Sequence, residues 1–523
     1  MPAAARRATT PALAMGPWSS ARPHVRWLRL VAVLAVAVAD DAPPVMLLVR
    51  SQETARDRER LADLRARVEK AGWPAGSVIG LPDAEREAQH SGFWAYKPWL
   101  HHFERQLSQG DAGRVPPDWV VFVETSTAVD PQQLQQLLAQ YDEKEPQYIG
   151  RAIKDEVSSI LHHYSTETVY PLAHAGFALS WALVQRLARH LEQHPLGQSQ
   201  QIEPVWELAK WIAGTGVELS NRSDALCSAP RAGCATWVSH WPRASRPLLA
   251  EDVVIAVKTV GHFHWSRIPI LHEAWGAGSS VEVLYLSNKA FSGVATAQVI
   301  DLSGEFGDMV DPNRESTKQG SGHCSKMEAI LRYLERHSPG RRWYVVVDDD
   351  TLLNVHRLLE VLSSHDDSTA LCVGERYGWS HREGKPGSNY ITTGGGVALS
   401  GDALAKLGAC RDCTCRLPHA PDDMMLGTWL TSIGVPILHE EVFHQAEPHN
   451  YHPEVLAASE APVSFHRYGV QLPASAKPEQ VDKARRANWR RWSEEHFSAS
   501  AAGSARSGDS AHVSVRAGRG AEL

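Results

Sequence analysis

Three consecutive carboxylates, Asp348-Asp349-Asp350, directly follow the apolar run Trp343–Val347. Carboxylates crowded at the exposed end of a strand repel one another unless a cation sits among them. Hard oxygen donors of this kind suit Mg²⁺ or Mn²⁺, ions that bind diphosphates while keeping coordination positions open. The competing reading is an acidic turn, or a helix cap before Leu352–Leu362. A calcium loop is excluded, because the glycine and terminal glutamate of an EF-hand are missing. A second acidic pair, Asp422-Asp423, opens a predicted helix after Pro421. Asp422 fits the N-cap. Asp423 then falls in the first turn, where a carboxylate near the helix N-terminus stays ionised and could accept a proton. Thr393-Gly394-Gly395-Gly396 would let backbone approach a ligand closely, although a flexible turn accounts for it equally well. His444 and His466 each follow a phenylalanine, and a lone histidine is more often structural than a ligand.

These residues need a scaffold that brings them together. Val253–Lys258, Val281–Leu286 and Tyr344–Val347 are short β-branched runs, as expected of strands buried on both faces. Lys326–Arg336 carries a helical apolar stripe of Met327, Ile330, Leu331 and Leu334. Such alternation predicts an α/β fold, with a mostly parallel sheet, helices on both faces and ligands beyond the carboxyl ends of the strands.

The same pattern occurs twice. Trp119-Val120-Val121-Phe122-Val123 matches Trp343-Tyr344-Val345-Val346-Val347, and Gly176-Phe177-Ala178-Leu179-Ser180 matches Gly396-Val397-Ala398-Leu399-Ser400. Trp211 and Gly216 match Trp429 and Gly434, and Val45–Arg50 parallels Val253–Lys258. Matches in one order at nearly one spacing imply two copies of a domain, over 44–218 and 251–470. Residues 219–250, with Pro230, Pro242 and Pro247, read as a linker, and 475–523 as a polar, partly disordered tail. Where the second copy has Asp348-Asp349-Asp350 the first has Glu124-Thr125-Ser126. This is the pattern of a catalytic domain beside a degenerate sister.

At 523 residues the chain exceeds one core, and a formal charge of −7 provides no broad basic surface for nucleic acid. Its 18 tryptophans read chiefly as packing residues, with stacking on sugar rings as a secondary use. Arg6, Arg7, Arg22, Arg26 and Arg29 precede the apolar Leu30–Ala39, and Ala37-Val38-Ala39 supplies small residues for cleavage. That layout predicts a signal peptide over 1–39. The run is too short for stable membrane insertion, since a spanning helix needs about 20 apolar residues. Seven cysteines fit an oxidising compartment. Cys227 and Cys234 could close a short loop, and Cys410, Cys413 and Cys415 could pair internally or with a distant partner, leaving one thiol over. Asn221-Arg222-Ser223 is a glycosylation sequon.

With these pieces in order the sequence resembles the fringe-like β-1,3-glycosyltransferases, and among them the β-1,3-glucosyltransferases that extend O-linked fucose on thrombospondin type 1 repeats. The resemblance is carried by Asp252–Thr259, Arg267-Ile268-Pro269-Ile270, Gly322–Lys326, Val346–Leu352, Gly374-Glu375-Arg376-Tyr377-Gly378, Tyr390–Gly396, Ala420–Met424, Leu426-Gly427 and Phe443-His444-Gln445-Ala446. The duplicated, acid-poor first half also resembles that group rather than fringe, which has one domain. The resemblance implies two tandem GT-A-like domains, the first of them degenerate. It implies UDP-glucose as donor, inversion at the anomeric carbon, O-fucosylated thrombospondin repeats as acceptor and a soluble enzyme of the endoplasmic reticulum lumen. It also implies a divalent metal, Mn²⁺ before Mg²⁺.

Carried over by position, Asp350 is the principal metal ligand, assisted by Asp348, and Asp348 and Asp349 help hold nucleotide and ribose. Lys258, Thr259 and Lys326 fall on the donor side, Thr393–Gly396 form the loop between donor and acceptor, and Asp423, or else Asp422, is the general base. His444 matches the first histidine of a Phe-His-Ser-His segment near the metal in fringe proteins. Here that segment reads Phe-His-Gln-Ala, which leaves His466 as the rival ligand. The terminal Gly520-Ala521-Glu522-Leu523 keeps only the last two positions of a KDEL-like retrieval signal. Two other readings stand beside this one: the same scaffold transferring GlcNAc or galactose, and a non-catalytic folding sensor or lectin-like binder.

Overall fold

The computed structural model describes residues 45–80, 96, 116–193, 202–241, 243, 247–310, 323–379, 388–416 and 420–497. The expected signal peptide and the end of the tail lie outside the described residues. Two sheets organise the rest. The first runs Val78–Gly80, Val45–Arg50, Trp119–Glu124, Phe177–Ser180, Tyr148–Gly150, Ser220–Asn221. The second runs Gln298–Asp301, Glu282–Ser287, Val253–Lys258, Trp343–Asp348, Val397–Ser400, Cys372–Gly374, Ile437–His439. Apart from the extra edge strand of the second, the orders are the same. So are the senses of pairing: parallel, parallel, antiparallel, antiparallel, parallel.

Strand formation follows from runs of apolar, mostly β-branched residues with a period of two. In the second sheet Val254, Ala256, Tyr344 and Val346 pack on one face, while Val253, Ile255, Val257, Val345 and Val347 pack on the other. Each fully buried valine or isoleucine contributes roughly 1.5–3 kcal/mol, so the pairing register is strongly specified. Helix His323–His337 covers the first of these faces with Cys324, Met327, Ile330 and Leu334. Helix Pro478–Trp492 places Trp489 and Trp492 on the second. The residues after 475 are therefore not all polar tail.

The duplication extends to individual hydrogen bonds, and it corrects the linker reading. Val238 faces Thr127 across an antiparallel ribbon, as His466 faces Thr351. The Ser239 amide donates to the Ser126 carbonyl at 2.7 Å, as Arg467 does to Asp350 at 2.8 Å. The Asp130 amide donates to the Ala235 carbonyl, as Asn354 does to Val463. Residues 220–238 thus supply paired strands of the first copy. The prolines that suggested a linker lie at 230, 242 and 247, in the turn before the last strand or beyond it.

Three disulfides form: Cys227–Cys234, Cys410–Cys413 and Cys324–Cys415, with Cys372 buried as the free thiol. The third spans 91 residues and ties the start of helix His323–His337 to the segment before Asp422. No helix among the described residues is long and apolar enough to cross a membrane. Replacing Cys324 and Cys415 together by alanine should lower unfolding stability by about 2–5 kcal/mol, measured by denaturant titration. The corresponding change at Cys227 and Cys234, which closes a loop of only a few residues, should cost less.

Candidate active site

Strand Trp343–Asp348 ends at the acidic triplet, and the neighbouring strand Val253–Lys258 ends in register with it, so that Lys258 lies opposite Asp348. The triplet is a tight connection rather than a helix cap. The chain pairs again at once through Thr351–Leu353, and the following helix is capped by Asn354. Lys258 Nζ lies 2.9 Å from Asp348 Oδ1, pairs also with Asp422, and reaches Thr393 Oγ1 at 3.4 Å. Burial works against the ammonium, but the two carboxylates outweigh it and raise the lysine above its ordinary range.

Asp349 is turned inward. It accepts a 2.7 Å bond from Thr259 Oγ1 and a 2.6 Å bond from Arg267 Nη1. Burial lifts it to about 6 despite the arginine. Asp350 turns the other way, toward His466 Nε2 at 3.1 Å and Arg267 at 2.9 Å. Burial alone would raise it, but the histidine and the arginine hold it at about 2. Asp348, Asp350 and His466 offer ligand atoms that all lie within 4.8 Å of one another. The two hard carboxylate oxygens are of the type that suits Mn²⁺ or Mg²⁺, with the imidazole nitrogen as a third donor.

Among the two histidine candidates, the structure brings only His466 to the acids. His444 is stacked on Phe465 with its Nδ1 donating to the Ser464 carbonyl at 3.1 Å, and burial lowers it to about 4. Alternation along the chain separates the two. Strand Ser464–His466 pairs directly with Thr351–Leu353 and so delivers His466 to Asp350, whereas His444 lies behind that ribbon. Lys326 stands one layer back, donating to the Thr259 carbonyl at 3.2 Å.

The glycines also meet a packing requirement. A Cβ on Gly394 would lie 2.5 Å from His466 Nδ1 and 2.7 Å from Gln445 Oε1, and Gly396 has φ +107°. The loop packs this closely in order to seat His466, and Thr393 turns toward Lys258. Asp422 is not the N-cap; Pro421 occupies that position without a side-chain bond, and the Asp422 carboxylate is taken by Lys258. Burial opposes its charge, but Lys258 keeps Asp422 below its ordinary value. Asp423 bonds only its neighbour's amide, Met424 N, at 2.7 Å among the described residues. Burial and then the adjacent Asp422 raise it to about 7, the range of a working general base. Asn221 is exposed, as a glycosylation site requires.

The sequence reading gave Arg267 no role. The signal was present, in an arginine soon after a strand whose end carries the site, inside a motif quoted only for resemblance. Its guanidinium lies 3.7 Å from the Phe263 ring centre and bridges Asp349 and Asp350.

The Fringe-like family profile matches residues 97–205 and 248–484, more than half of the chain. The protein belongs to the Fringe-like family. Among its relatives are the β-1,3-glucosyltransferases of Mus musculus, 33% identical over 82% of this chain and 84% of that protein, and of Homo sapiens, 32% identical over 87% and 89%. The β-1,3-N-acetylglucosaminyltransferase radical fringe of Xenopus laevis is 27% identical over 41% of this chain and 65% of its own length. The first two matches span both copies of this Fringe-like chain.

Asp422 and Asp423 should separate by stability. Asp422→Asn leaves Lys258 buried with one partner fewer and should cost on the order of 3 kcal/mol. Asp423 is raised, so its contribution to stability is present while it is protonated and is lost as pH rises toward 7. Asp423→Asn should therefore melt at or above wild type at pH 8, with the difference shrinking at pH 5. Thermal melts at the two pH values check both.

Proposed function

We propose that this β-1,3-glycosyltransferase moves glucose from UDP-glucose to the 3-hydroxyl of O-linked fucose on thrombospondin type 1 repeats, with inversion. The observation that carries the reading is the meeting of a metal-suited trio, Asp348, Asp350 and His466, with a separate carboxyl, Asp423, raised to about 7. The glucosyl choice is supported by the relatives named β-1,3-glucosyltransferase, which match both copies, whereas the fringe relatives match about 40% of the chain. A GT-A assignment for the second sheet, with Mn²⁺ before Mg²⁺ as its metal, goes with this proposal. So does residence in the endoplasmic reticulum lumen, which three disulfides favour.

Asp348, Asp350 and His466 would hold the metal, and Lys258 orients Asp348 through its 2.9 Å contact. A bound divalent cation would supply Lewis-acid neutralisation of the leaving diphosphate, worth several kcal/mol. Asp423 takes the proton of the fucose hydroxyl as its oxygen bonds to the anomeric carbon and the bond to UDP breaks with its electron pair. A positioned base contributes about 10²–10⁴-fold. The first copy has Glu124, Ser126 and Val238 where the second has Asp348, Asp350 and His466, and so takes no part in the chemistry.

A screen of UDP-sugars against a folded, O-fucosylated thrombospondin repeat should show glucose transfer with Mn²⁺ that EDTA abolishes. Asp350→Asn should reduce transfer by orders of magnitude while the fold survives. The rate should rise with pH through about 7 as Asp423 loses its proton. Transfer of another sugar alone would overturn the donor assignment. A folded wild-type protein that turns over no UDP-sugar would favour the non-catalytic binder.

A further inference from the structure

Glu375 is buried, carries a carboxyl, and has no part in the chemistry described above. It follows strand Cys372–Gly374, and its own carbonyl accepts the Thr392 amide at 3.2 Å, at the start of the glycine loop. Its carboxylate accepts the Gln445 amide at 2.6 Å and the Tyr451 hydroxyl at 3.1 Å. That hydroxyl in turn accepts the Ala446 amide at 3.2 Å. Gln445 faces the site in two ways. Its side-chain Oε1 accepts the Gly395 amide at 2.9 Å, and its carbonyl accepts His466 Nδ1–H at 3.0 Å. The second contact leaves His466 Nε2 as the nitrogen presented to Asp350. Removing groups of this kind, which fix a ligand's tautomer and ring orientation, typically costs about 10–100-fold in metal affinity.

We propose that Glu375 is a positioning residue that acts through Gln445, holding the glycine loop and the His466 imidazole in register with Asp348 and Asp350. The inference rests on the glycosyltransferase reading above. Two features distinguish the arrangement from ordinary core packing. Glu375 grips both segments that converge on the site, one by its backbone and the other by its side chain. All of its contacts on the Gln445 side ask its carboxyl only to accept, so a neutral acceptor of the same shape should serve. Burial pushes Glu375 up to about 8, in keeping with a group whose charge is dispensable.

The test compares Glu375→Gln with Glu375→Leu in the full chain. Mn²⁺ affinity is read from the free-ion electron paramagnetic resonance signal, and transfer as separate kcat and KM. Glu375→Gln should stay within about threefold of wild type in both. Glu375→Leu should weaken Mn²⁺ binding about tenfold, the lower end of the range for such outer contacts, and lower kcat more than it raises the acceptor KM. A folded Glu375→Leu protein with wild-type Mn²⁺ affinity and kcat would overturn the proposal, as would a Glu375→Gln protein as impaired as the leucine variant. If Glu375→Leu does not fold, Gln445→Leu serves instead. It removes only the bond to Gly395 and should lower kcat while leaving Mn²⁺ affinity within about twofold, and an unchanged kcat would overturn the proposal. A wild-type protein that neither binds Mn²⁺ nor transfers sugar would instead defeat the underlying functional reading.

Discussion

Lys258 sits between Asp348 and Asp422, and this buried cation makes the rest of the second copy intelligible. Four carboxylates, Asp348, Asp349, Asp350 and Asp422, are brought close together by two chain segments far apart in sequence. Without positive charge among them they would protonate or force the segments apart. Lys258 serves Asp348 and Asp422, while Arg267 serves Asp349 and Asp350. His466 completes the set at Asp350. Asp423 is left outside this compensation, next to an ionised neighbour and partly desolvated, and that is why it can still take up a proton near neutral pH. The division of labour between two adjacent aspartates follows from which of them the lysine reaches.

The first copy carries a reduced form of the same arrangement. Arg50 lies opposite Glu124 in the register that places Lys258 opposite Asp348, and the pair closes at 2.8 Å. The Glu124 amide still donates to Thr127 Oγ1, which donates to the His174 carbonyl, as Asp348, Thr351 and Gly394 do in the second copy. A single buried ion pair is retained because removing one partner would strand the other. The positions that matched Asp350 and His466 carry no such penalty and have become Ser126 and Val238. His174 stands at the place of Gly394, and Val238 stands at the place of His466.

Much of the scaffold was legible in the sequence because its strands are buried on both faces. Val45–Arg50, Trp119–Val123 and Val253–Lys258 read as strands, and their two-fold recurrence gave the duplication. The acidic triplet, and His466 and Asp423 as candidates close to it, were visible from residue type and position. What could not be read depended on contacts between segments distant in sequence. Nothing local distinguishes Asp422 as a partner of Lys258, 164 residues away, from Asp422 as a helix cap. Nothing local shows that His444 stacks on Phe465 while His466, one strand later, turns to Asp350. The linker misreading has a similar cause. The strands between 220 and 238 are two or three residues long, and too short for any periodicity to register.

The first copy also packs against the segment that leads to His466. The segment 439–445 of the second copy carries Gln445, whose carbonyl orients His466, and the first copy holds the start of that segment. Gln52 exchanges two hydrogen bonds with the His439 backbone, at 2.8 and 2.7 Å. His174 pairs with Glu441 at 2.9 Å, and Arg243 forks onto Glu440 while also reaching Glu460. Gln52 lies two residues beyond Arg50, and His174 stands where the second copy has Gly394, so both belong to the end of the first sheet at which a ligand would sit. That end is now occupied by the sister's own chain. The charged side chains buried there are paired, His174 with Glu441 and Arg243 with Glu440. The end of the first sheet thus holds the segment that leads to Gln445 and, through it, to His466. At that same sheet end the Arg50–Glu124 pair closes at 2.8 Å beside Gln52.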